Sequence, residues 1–198
     1  MFYIIPLNSC RNKKNKRYTL LFSCLLLVFS CTKETFPKPT AYLSLTRAEV
    51  IYKTTDSNCP FEFEIPKTAK ILVNNKCWLK IKYPKLKATV DITYRPITNN
   101  LRELLIESEK LTTKHTVKAD RISISPLFEN TKEKVYGKIS DVIGNAASPL
   151  QFQITDSINH FITGAVYFNV QPNYDSIYPA IRFIEKDLKH LIETTKWK

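Results

Sequence analysis

Residues 59–97 of the chain read CPFEFEIPKTAKILVNNKCWLKIKYPKLKATVDITYRPI, and apolar and polar residues alternate along most of this stretch. Alternation with a period of two is typical of β-strands that bury one face and expose the other. Breaks at residues 66–68 (PKT) and 84–85 (PK) divide the pattern. Because proline-containing breaks favour turns, the stretch predicts two consecutive β-hairpins.

The first predicted hairpin brings two cysteines together. If it is centred at Thr68, Phe63 lies opposite Val73. The same register places Cys59 opposite Cys77, at a Cα separation of about 4.5 to 5.5 Å that a disulfide can bridge. Cysteines of exported proteins tend to pair. We therefore predict a disulfide between Cys59 and Cys77, with two buried free thiols as the alternative.

The second predicted hairpin alternates in the same way. One face of its two strands carries Leu79, Ile81 and Tyr83, then Ala88, Val90, Ile92 and Tyr94. This regular stripe predicts one buried face on both strands.

Two amphipathic helices are predicted outside the hairpins. The first begins after Asn100, with Glu103 completing a capping box, and runs to about Lys114. The second begins near Asp175 or Ser176 and tolerates Pro179 in its first turns. Their apolar stripes predict that both pack on the core. The stripes are Leu101, Leu104, Leu105, Ser108 and Leu111, then Ile177, Ile181, Ile184, Leu188, Leu191 and Ile192. Lys196 and Lys198 suit the C-terminal dipole of the second helix.

Four more strands are predicted between the helices, at residues 121–128, 134–143, 150–157 and 160–170. The last, HFITGAVYFNV, is apolar on both faces, which predicts a central strand covered on both sides. The fold class is therefore α+β, a mainly antiparallel sheet flanked by helices with a C-terminal amphipathic helix. Its element order is similar to the layered sandwich of PsbP and Mog1 proteins, a likeness of fold alone.

The N-terminal region has the order of an export signal. Residues 11–31 place five cations before about a dozen apolar residues and end in Val28-Phe29-Ser30-Cys31. This ending is a lipobox, the bacterial pattern in which the cysteine becomes the lipidated N-terminus. We therefore predict a lipoprotein signal peptide at 1–30, a lipidated Cys31 with a tether to residue 57, and a single domain at 58–198.

Lipidation at Cys31 has two alternatives. Cleavage before Cys24 would leave only residues 18–23 as the apolar segment, which is shorter than export requires. An uncleaved membrane helix is disfavoured because residues 18–30 number 13, whereas a span needs about 20.

The charge of the chain is basic. Its net charge is +12, but residues 1–30 contain five cations and no acid, so residues 31–198, with 25 Lys and Arg against 18 Asp and Glu, carry +7. We interpret this excess as spread along the chain. Because an exported protein does not meet the genome, we do not expect nucleic acid as a partner. We expect instead a mild preference for anionic lipid or acidic polymer.

The densest polar stretch is residues 140–160, SDVIGNAASPLQFQITDSINH. It suggests a minor hypothesis, a periplasmic hydrolase or ligand-binding enzyme using His160 with Asp156 or Asp141. Ser157 lacks the glycine-flanked elbow that exposes a nucleophile. We therefore expect no catalytic residues and no small-molecule substrate, and expect the polar side chains of this stretch to shape turns.

No cofactor or metal is expected. His115, His160 and His190 lie on different predicted elements without ligand spacing. Gly137, Gly144 and Gly164 are isolated, which argues against phosphate-binding loops. Trp78 lies beside Cys77 on a predicted strand, and we expect it to pack in the core rather than to stack on a sugar.

Several uncommon segments of the chain occur together in one known family. They are CPFEFEIP, CWLKIKYPKLKATVDITY, IGNAAS, TDSINHF, PNYDSI and the terminal ETTKWK. In these segments, from about Pro37 to Lys198, the chain resembles the gliding motility lipoprotein GldD family of the Bacteroidota, and its lipobox falls where that family has its own.

The resemblance implies a cell-envelope lipoprotein required for gliding and linked to the type IX secretion machinery. It implies a membrane attachment through the lipid on Cys31, a domain facing the periplasm, and other gliding or secretion proteins as partners. The family offers no catalytic motif, so the resemblance implies a non-enzymatic component or assembly factor.

Overall fold

The computed structural model describes residues 49–114, 119–171 and 173–198. The predicted signal peptide, Cys31 and His115 lie outside the described residues. The described elements follow in chain order: β1 Tyr52–Thr54, β2 Phe61–Glu62, β3 Glu64–Pro66, β4 Lys70–Val73, β5 Leu79–Tyr83, a 3-10 turn Pro84–Leu86, β6 Ala88–Pro96, α1 Leu101–Thr113, β7 Ala119–Ile124, β8 Phe128–Asn130, β9 Val135–Gly144, β10 Leu150–Thr155, β11 His160–Phe168, α2 Tyr174–Glu193 and β12 Lys196–Trp197.

Most of these strands form one sheet of eight. Its order is β4-β5-β6-β11-β10-β9-β7, and β8 also pairs with β9. Two small sheets, β1-β3 and β2-β12, complete the architecture, and every pairing among the described strands is antiparallel. The α+β class and the C-terminal helix are confirmed, while the likeness to PsbP and Mog1 proteins stays a prediction.

The second predicted hairpin is confirmed. β5 pairs with β6 from Leu79 opposite Ile92 to Tyr83 opposite Ala88, and the predicted apolar face is buried on β5 and on the first half of β6. The central position of β11 is also confirmed, because it lies between β6 and β10.

The first predicted hairpin is wrong. β3 pairs with β1, with Pro66 opposite Tyr52, and β4 pairs with β5. The alternation of residues 61–73 fits strands but cannot identify the partner of each strand. A tighter local turn favours the β4-β5 pairing, since the side chain of Asn74 accepts hydrogen bonds from the backbone N–H groups of Lys76 (2.9 Å) and Trp78 (3.0 Å).

A disulfide nevertheless joins Cys59 and Cys77, with their Cα atoms 5.6 Å apart. It ties the segment before β2 to the turn between β4 and β5, rather than spanning one hairpin. Cys59 is buried in the core cluster and Cys77 packs against it. The link therefore connects segments that flank strands of two different sheets.

The folded domain begins earlier than residue 58. β1 lies within the segment predicted as tether, and its residues Tyr52 to Thr54 pair with β3. The hydroxyl of Tyr52 also donates a 2.9 Å hydrogen bond to Asp187 of α2. These contacts make residues 52–54 part of the domain.

The two helices cover opposite faces of the large sheet. On β9, Asp141 pairs with Arg182 of α2, whereas Lys138 pairs with Glu109 of α1 at 3.0 Å. Side chains three positions apart on a strand point to opposite faces. The core lies on the α2 face, where residues such as Ile162, Val166, Ile181, Ile184 and Leu188 are at most 1% exposed. Burying one such side chain contributes about 1.5 to 3 kcal/mol.

α1 covers its face only partly, contrary to prediction. Leu104 is its one described buried residue, and Leu111 is 45% exposed. The predicted capping box is also absent, because Asn100 accepts a hydrogen bond from the backbone N–H of Thr98 instead of from the helix. On the α1 face of β11, Phe161 is buried but Tyr167 is exposed, so the predicted coverage of this face is incomplete.

α2 follows its prediction more closely. Asn173 caps its N-terminus by accepting from the backbone N–H of Ser176, and the predicted apolar stripe is buried from Ile181 onwards. The helix ends at Glu193, and the chain then turns so that β12 pairs with β2. Lys196 and Lys198 therefore do not extend its last turn.

Candidate functional site

His160 begins β11 and belongs to an aromatic cluster. Its Nδ1 lies 3.0 Å from the hydroxyl of Tyr94, and its ring stacks on Trp197 at 5.0 Å between centroids. Burial, and secondarily the charge of Asp156, raise the pKa of Tyr94. The phenol stays protonated, and the cluster joins residues of β6, β11 and β12.

Asp156 is a turn residue, as the sequence led us to expect. Its Oδ1 accepts hydrogen bonds from the backbone N–H groups of Ile158 (3.0 Å), Asn159 (2.8 Å) and His160 (2.8 Å). Burial alone would raise the pKa of Asp156, but these three donors outweigh it and the pKa lies below its usual value. The carboxylate is thereby committed to the loop before β11.

Asp141 lies in a different polar cluster, at the N-terminal end of α2. It pairs with the guanidinium of Arg182, which also binds Glu185 at 2.5 Å, and it accepts a 3.3 Å hydrogen bond from Tyr174. Burial opposes the charge of Arg182, but its bonds to Asp141 and Tyr174 raise its pKa overall. Asp141 is therefore one member of a salt-bridge network that fastens α2 to β9.

The sheet register separates Asp141 from His160. Asp141 lies opposite Leu150, which lies opposite Val166, and Val166 is six residues from His160 along β11. At about 3.3 Å per residue this is about 20 Å. His160 and the two carboxylates do not form one proton-transfer site, because Asp156 is bound to backbone and Asp141 is distant.

Metal ligands do not gather in the described part of the chain. No group of three or more His, Cys, Asp or Glu residues there could hold a metal ion. His190 instead contacts Glu64 at 2.7 Å and stacks on Tyr52, far along the chain from His160.

A groove of about 690 Å³ separates the C-terminal half of α1 from the sheet. Its lining includes Leu111, Thr112, Ile124, Gln151, Gln153 and Tyr167. The hydroxyl of Thr112 donates to Gln151 Oε1 at 2.8 Å, and the buried Nε2 of Gln151 has no hydrogen-bond partner among the described residues. Asp91, Glu109 and Lys138 also line the groove, so its surface combines charged, neutral polar and apolar side chains.

Contrary to the prediction, Trp78 does not pack in the core, because 46% of its surface is exposed. It lies in the turn before β5, beside the exposed Leu72 and Val73. The sequence carried a signal for this surface, namely the lysines that surround Trp78 in residues 65–90, but the alternating pattern hid it.

The fold and these surfaces define a class of protein: a disulfide-linked α+β domain whose polar residues stabilise turns and helix contacts. The comparison with protein families identifies the class further, because residues 32–197 match the family described as gliding motility lipoprotein GldD. The chain belongs to this family. A comparison with curated individual proteins finds no match.

Family membership implies attachment to a membrane through a lipid. Among the described residues, no helix has the length and apolar character needed to cross a membrane.

Proposed function

We propose that this protein is a non-enzymatic component or assembly factor of the gliding motility apparatus and the type IX secretion machinery associated with it. Residues 1–30 direct export, Cys31 carries the lipid, and the domain faces the periplasm. The family match carries this proposal, because it spans residues 32–197 and so begins directly after Cys31.

The arrangement of polar residues supports a role in binding rather than in catalysis. Asp156 holds three backbone N–H groups and Asp141 holds Arg182. His160 is engaged by Tyr94 and Trp197. A general base needs to reach its substrate's proton within about 3 Å, and none of these side chains is arranged with another for that task.

The test is complementation of a deletion strain of the source bacterium, scored for gliding and for type IX secretion. His160→Phe keeps a ring against Trp197 but removes the imidazole that acid–base catalysis would need. We expect this variant to restore both phenotypes. Cys31→Ser should restore neither, because it removes the protein from its membrane partners.

Protein abundance is measured in both strains, since a strand substitution can act through stability. An abundant, folded His160→Phe protein without activity would overturn the non-enzymatic role. That result would favour a hydrolase or ligand-binding enzyme using His160 with Asp156.

A further inference from the structure

The positive charge of this protein is concentrated, and not spread as the sequence analysis expected. Residues 65–90 contain seven lysines and no Asp or Glu. Because residues 31–198 hold 25 cations and 18 acids, the remainder of that region has 18 of each. The whole excess of +7 lies in this one segment.

The structure folds these lysines into one surface, the basic hairpin (residues 67–87), made by β4, β5 and the turns beside them. All seven are exposed: Lys67, Lys70, Lys76, Lys80, Lys82, Lys85 and Lys87. Lys80 pairs with Asp91 at 2.9 Å. Within the described part of the chain, the other six make no ion pair.

The strand register places like charges side by side. Lys70 of β4 lies directly opposite Lys82 of β5, and like charges in opposed positions of an antiparallel pair are destabilising. The neighbouring Leu72 lies opposite Lys80, so these four side chains share one face of the sheet. An anion bound to this face would relieve the repulsion.

Apolar side chains are exposed within the same hairpin. Leu72 is 53% and Val73 41% exposed, and Trp78 follows them across the turn. Hydrogen bonds to Asn74 hold this turn in place, and the ammonium of Lys76 lies 5.4 Å from the centre of the Trp78 ring. Exposed Trp and Leu beside Lys are typical of surfaces that bind the membrane interface.

The chain from the membrane anchor arrives at this hairpin. The backbone N–H of Lys67 donates a 2.9 Å hydrogen bond to the carbonyl of Ile51. Ile51 is 20 residues beyond Cys31, and a chain of that length spans at most about 70 Å. Ile51, and with it Lys67 at the start of the basic hairpin, therefore lies within about that distance of Cys31.

We propose that the basic hairpin docks on the surface of an anionic lipid bilayer. Lys67, Lys70 and Lys82 bind the phosphate groups of the lipids, while Trp78 and Leu72 enter the interfacial region. The proposed anchor makes this contact local, so a weak affinity suffices. The contact itself does not require the anchor, and its failure is therefore distinguishable from failure of the proposed function.

Protection of a sheet edge explains less of this surface. Lysines on an edge strand discourage pairing with a second sheet, and β4 is an edge strand. However, Lys82 lies on the inner strand β5 and Lys85 in the turn that follows. Exposed Leu72 and Trp78 would also work against such protection.

Vesicle binding tests the proposal. The protein used is residues 31–198 with Cys31→Ser, since all described elements and the disulfide lie in this region and no lipid then contributes. Sedimentation with vesicles of phosphatidylcholine containing 30% phosphatidylglycerol should recover the protein at low salt. Vesicles of phosphatidylcholine alone should not, and 0.5 M salt should release it because the contact is electrostatic.

Matched charge variants localise the contact. Lys67→Gln/Lys70→Gln/Lys82→Gln should weaken vesicle binding at least tenfold, since each lysine contributes about fivefold. Lys110→Gln/Lys114→Gln/Lys132→Gln removes three exposed lysines elsewhere and should leave binding within twofold. The melting temperature of each variant is measured to show that it is folded.

Fluorescence reports whether Trp78 enters the bilayer. The chain has two tryptophans, so Trp197→Phe leaves Trp78 as the single reporter. Its emission should shift to the blue on anionic vesicles and should be quenched by brominated lipids.

Equal binding of the two triple variants would overturn the proposal. An unshifted Trp78 emission, combined with equal competition by soluble polyphosphate, would also overturn it and indicate a soluble acidic partner instead.

Discussion

At the scale of single residues, the polar side chains that most resembled a catalytic set stabilise loops. Asp156 is buried and accepts three backbone N–H groups in the loop before β11. The carboxylate replaces the hydrogen bonds to water that those N–H groups lose on folding. Asp156 therefore stabilises the folded state. Because it does so as an ionised carboxylate, the stability of the protein should depend on pH.

Because the folded-state pKa of Asp156 lies below its usual value, ionised Asp156 stabilises the fold above the unfolded pKa of about 3.9. That stability is lost as the pH falls through the lower, folded-state pKa. Asp156→Asn should therefore cost about 1 to 2 kcal/mol at pH 7. The difference from the natural protein should shrink between pH 4 and pH 2.

Urea unfolding at pH 7, 5, 3 and 2 measures this difference. The exposed Asp120→Asn serves as the control, and we expect it to change stability little at any of these values. A cost for Asp156→Asn that stays constant down to pH 2 would contradict the charge-based account.

A second residue-scale prediction concerns Gly164 in the central strand. It lies opposite Phe152 on β10, and a Cβ at this position would overlap the Phe152 ring. Gly164→Ala should cost about 1 to 3 kcal/mol of unfolding free energy, because the packed core must shift. Denaturant unfolding gives the value.

Phe152→Leu provides the paired variant for this test. If the clash causes the loss, the double variant Gly164→Ala/Phe152→Leu should be more stable than the sum of the single effects predicts. Strict additivity would show that the ring is not what excludes a side chain at Gly164.

At the scale of secondary structure, the sequence predicted elements better than their partners. The alternation in residues 79–94 gave β5 and β6, which are neighbours in sequence and joined by a short turn. β3 pairs instead with β1, and β2 pairs with β12 from the end of the chain. Such pairings depend on the packing of Phe61, Phe63 and Ile65 in the core, which a local pattern does not contain.

The helices show the same limit. The spacing of apolar residues at 3.6 per turn located both helices. However, an apolar stripe does not show how much of it the rest of the protein buries. α2 buries Ile181, Ile184 and Leu188, whereas α1 leaves Ile106 exposed and also Leu111, which lines the groove. The difference lies in what each helix faces: a core of large apolar residues, or a sheet face with Gln151, Gln153 and Thr163.

The disulfide permits a prediction at this scale. With Cys59 and Cys77 bonded 18 residues apart, the link should stabilise the domain by about 3 kcal/mol in the chain-entropy model. Reduction should lower the melting temperature, and the oxidised domain should contain no free thiol at either position. Alkylation of intact protein followed by mass spectrometry measures the thiols.

The double variant Cys59→Ser/Cys77→Ser is the control for the reductant. Its melting temperature should be low and unaffected by reduction. Alkylation of Cys59 and Cys77 without reductant would contradict the pairing.

At the scale of the whole molecule, the two faces of the large sheet differ. α2 and the two small sheets close the core on one face, while the other face carries the α1 groove and, towards β4, the basic hairpin. The composition predicted a mild preference for anionic lipid, whereas the predictions that Trp78 packs in the core and that the charge is spread along the chain were wrong. The exposure of Trp78 could not be predicted because a strand pattern shows alternation without showing which edge of the sheet stays open, whereas the concentration of lysines could be counted in residues 65–90.

In the proposed function, a lipid on Cys31 determines where these surfaces act, and this residue gives the last prediction. Val28-Phe29-Ser30-Cys31 follows an apolar segment of suitable length, so Cys31→Ser should block lipidation and leave an unprocessed or released protein. Metabolic labelling with a fatty acid should mark the natural protein and not the variant. Cys24→Ser is the matched control, and it should keep the label.

Fractionation of the same cells separates the anchor from the basic hairpin. High salt weakens electrostatic contacts but does not weaken the insertion of lipid chains into the bilayer. Cys31→Ser protein that has been released from its signal peptide should therefore leave the membrane fraction at 0.5 M salt, whereas the natural protein should stay. Label retained in Cys31→Ser would indicate that Cys24 carries the lipid instead. Absence of label from the natural protein would contradict lipidation.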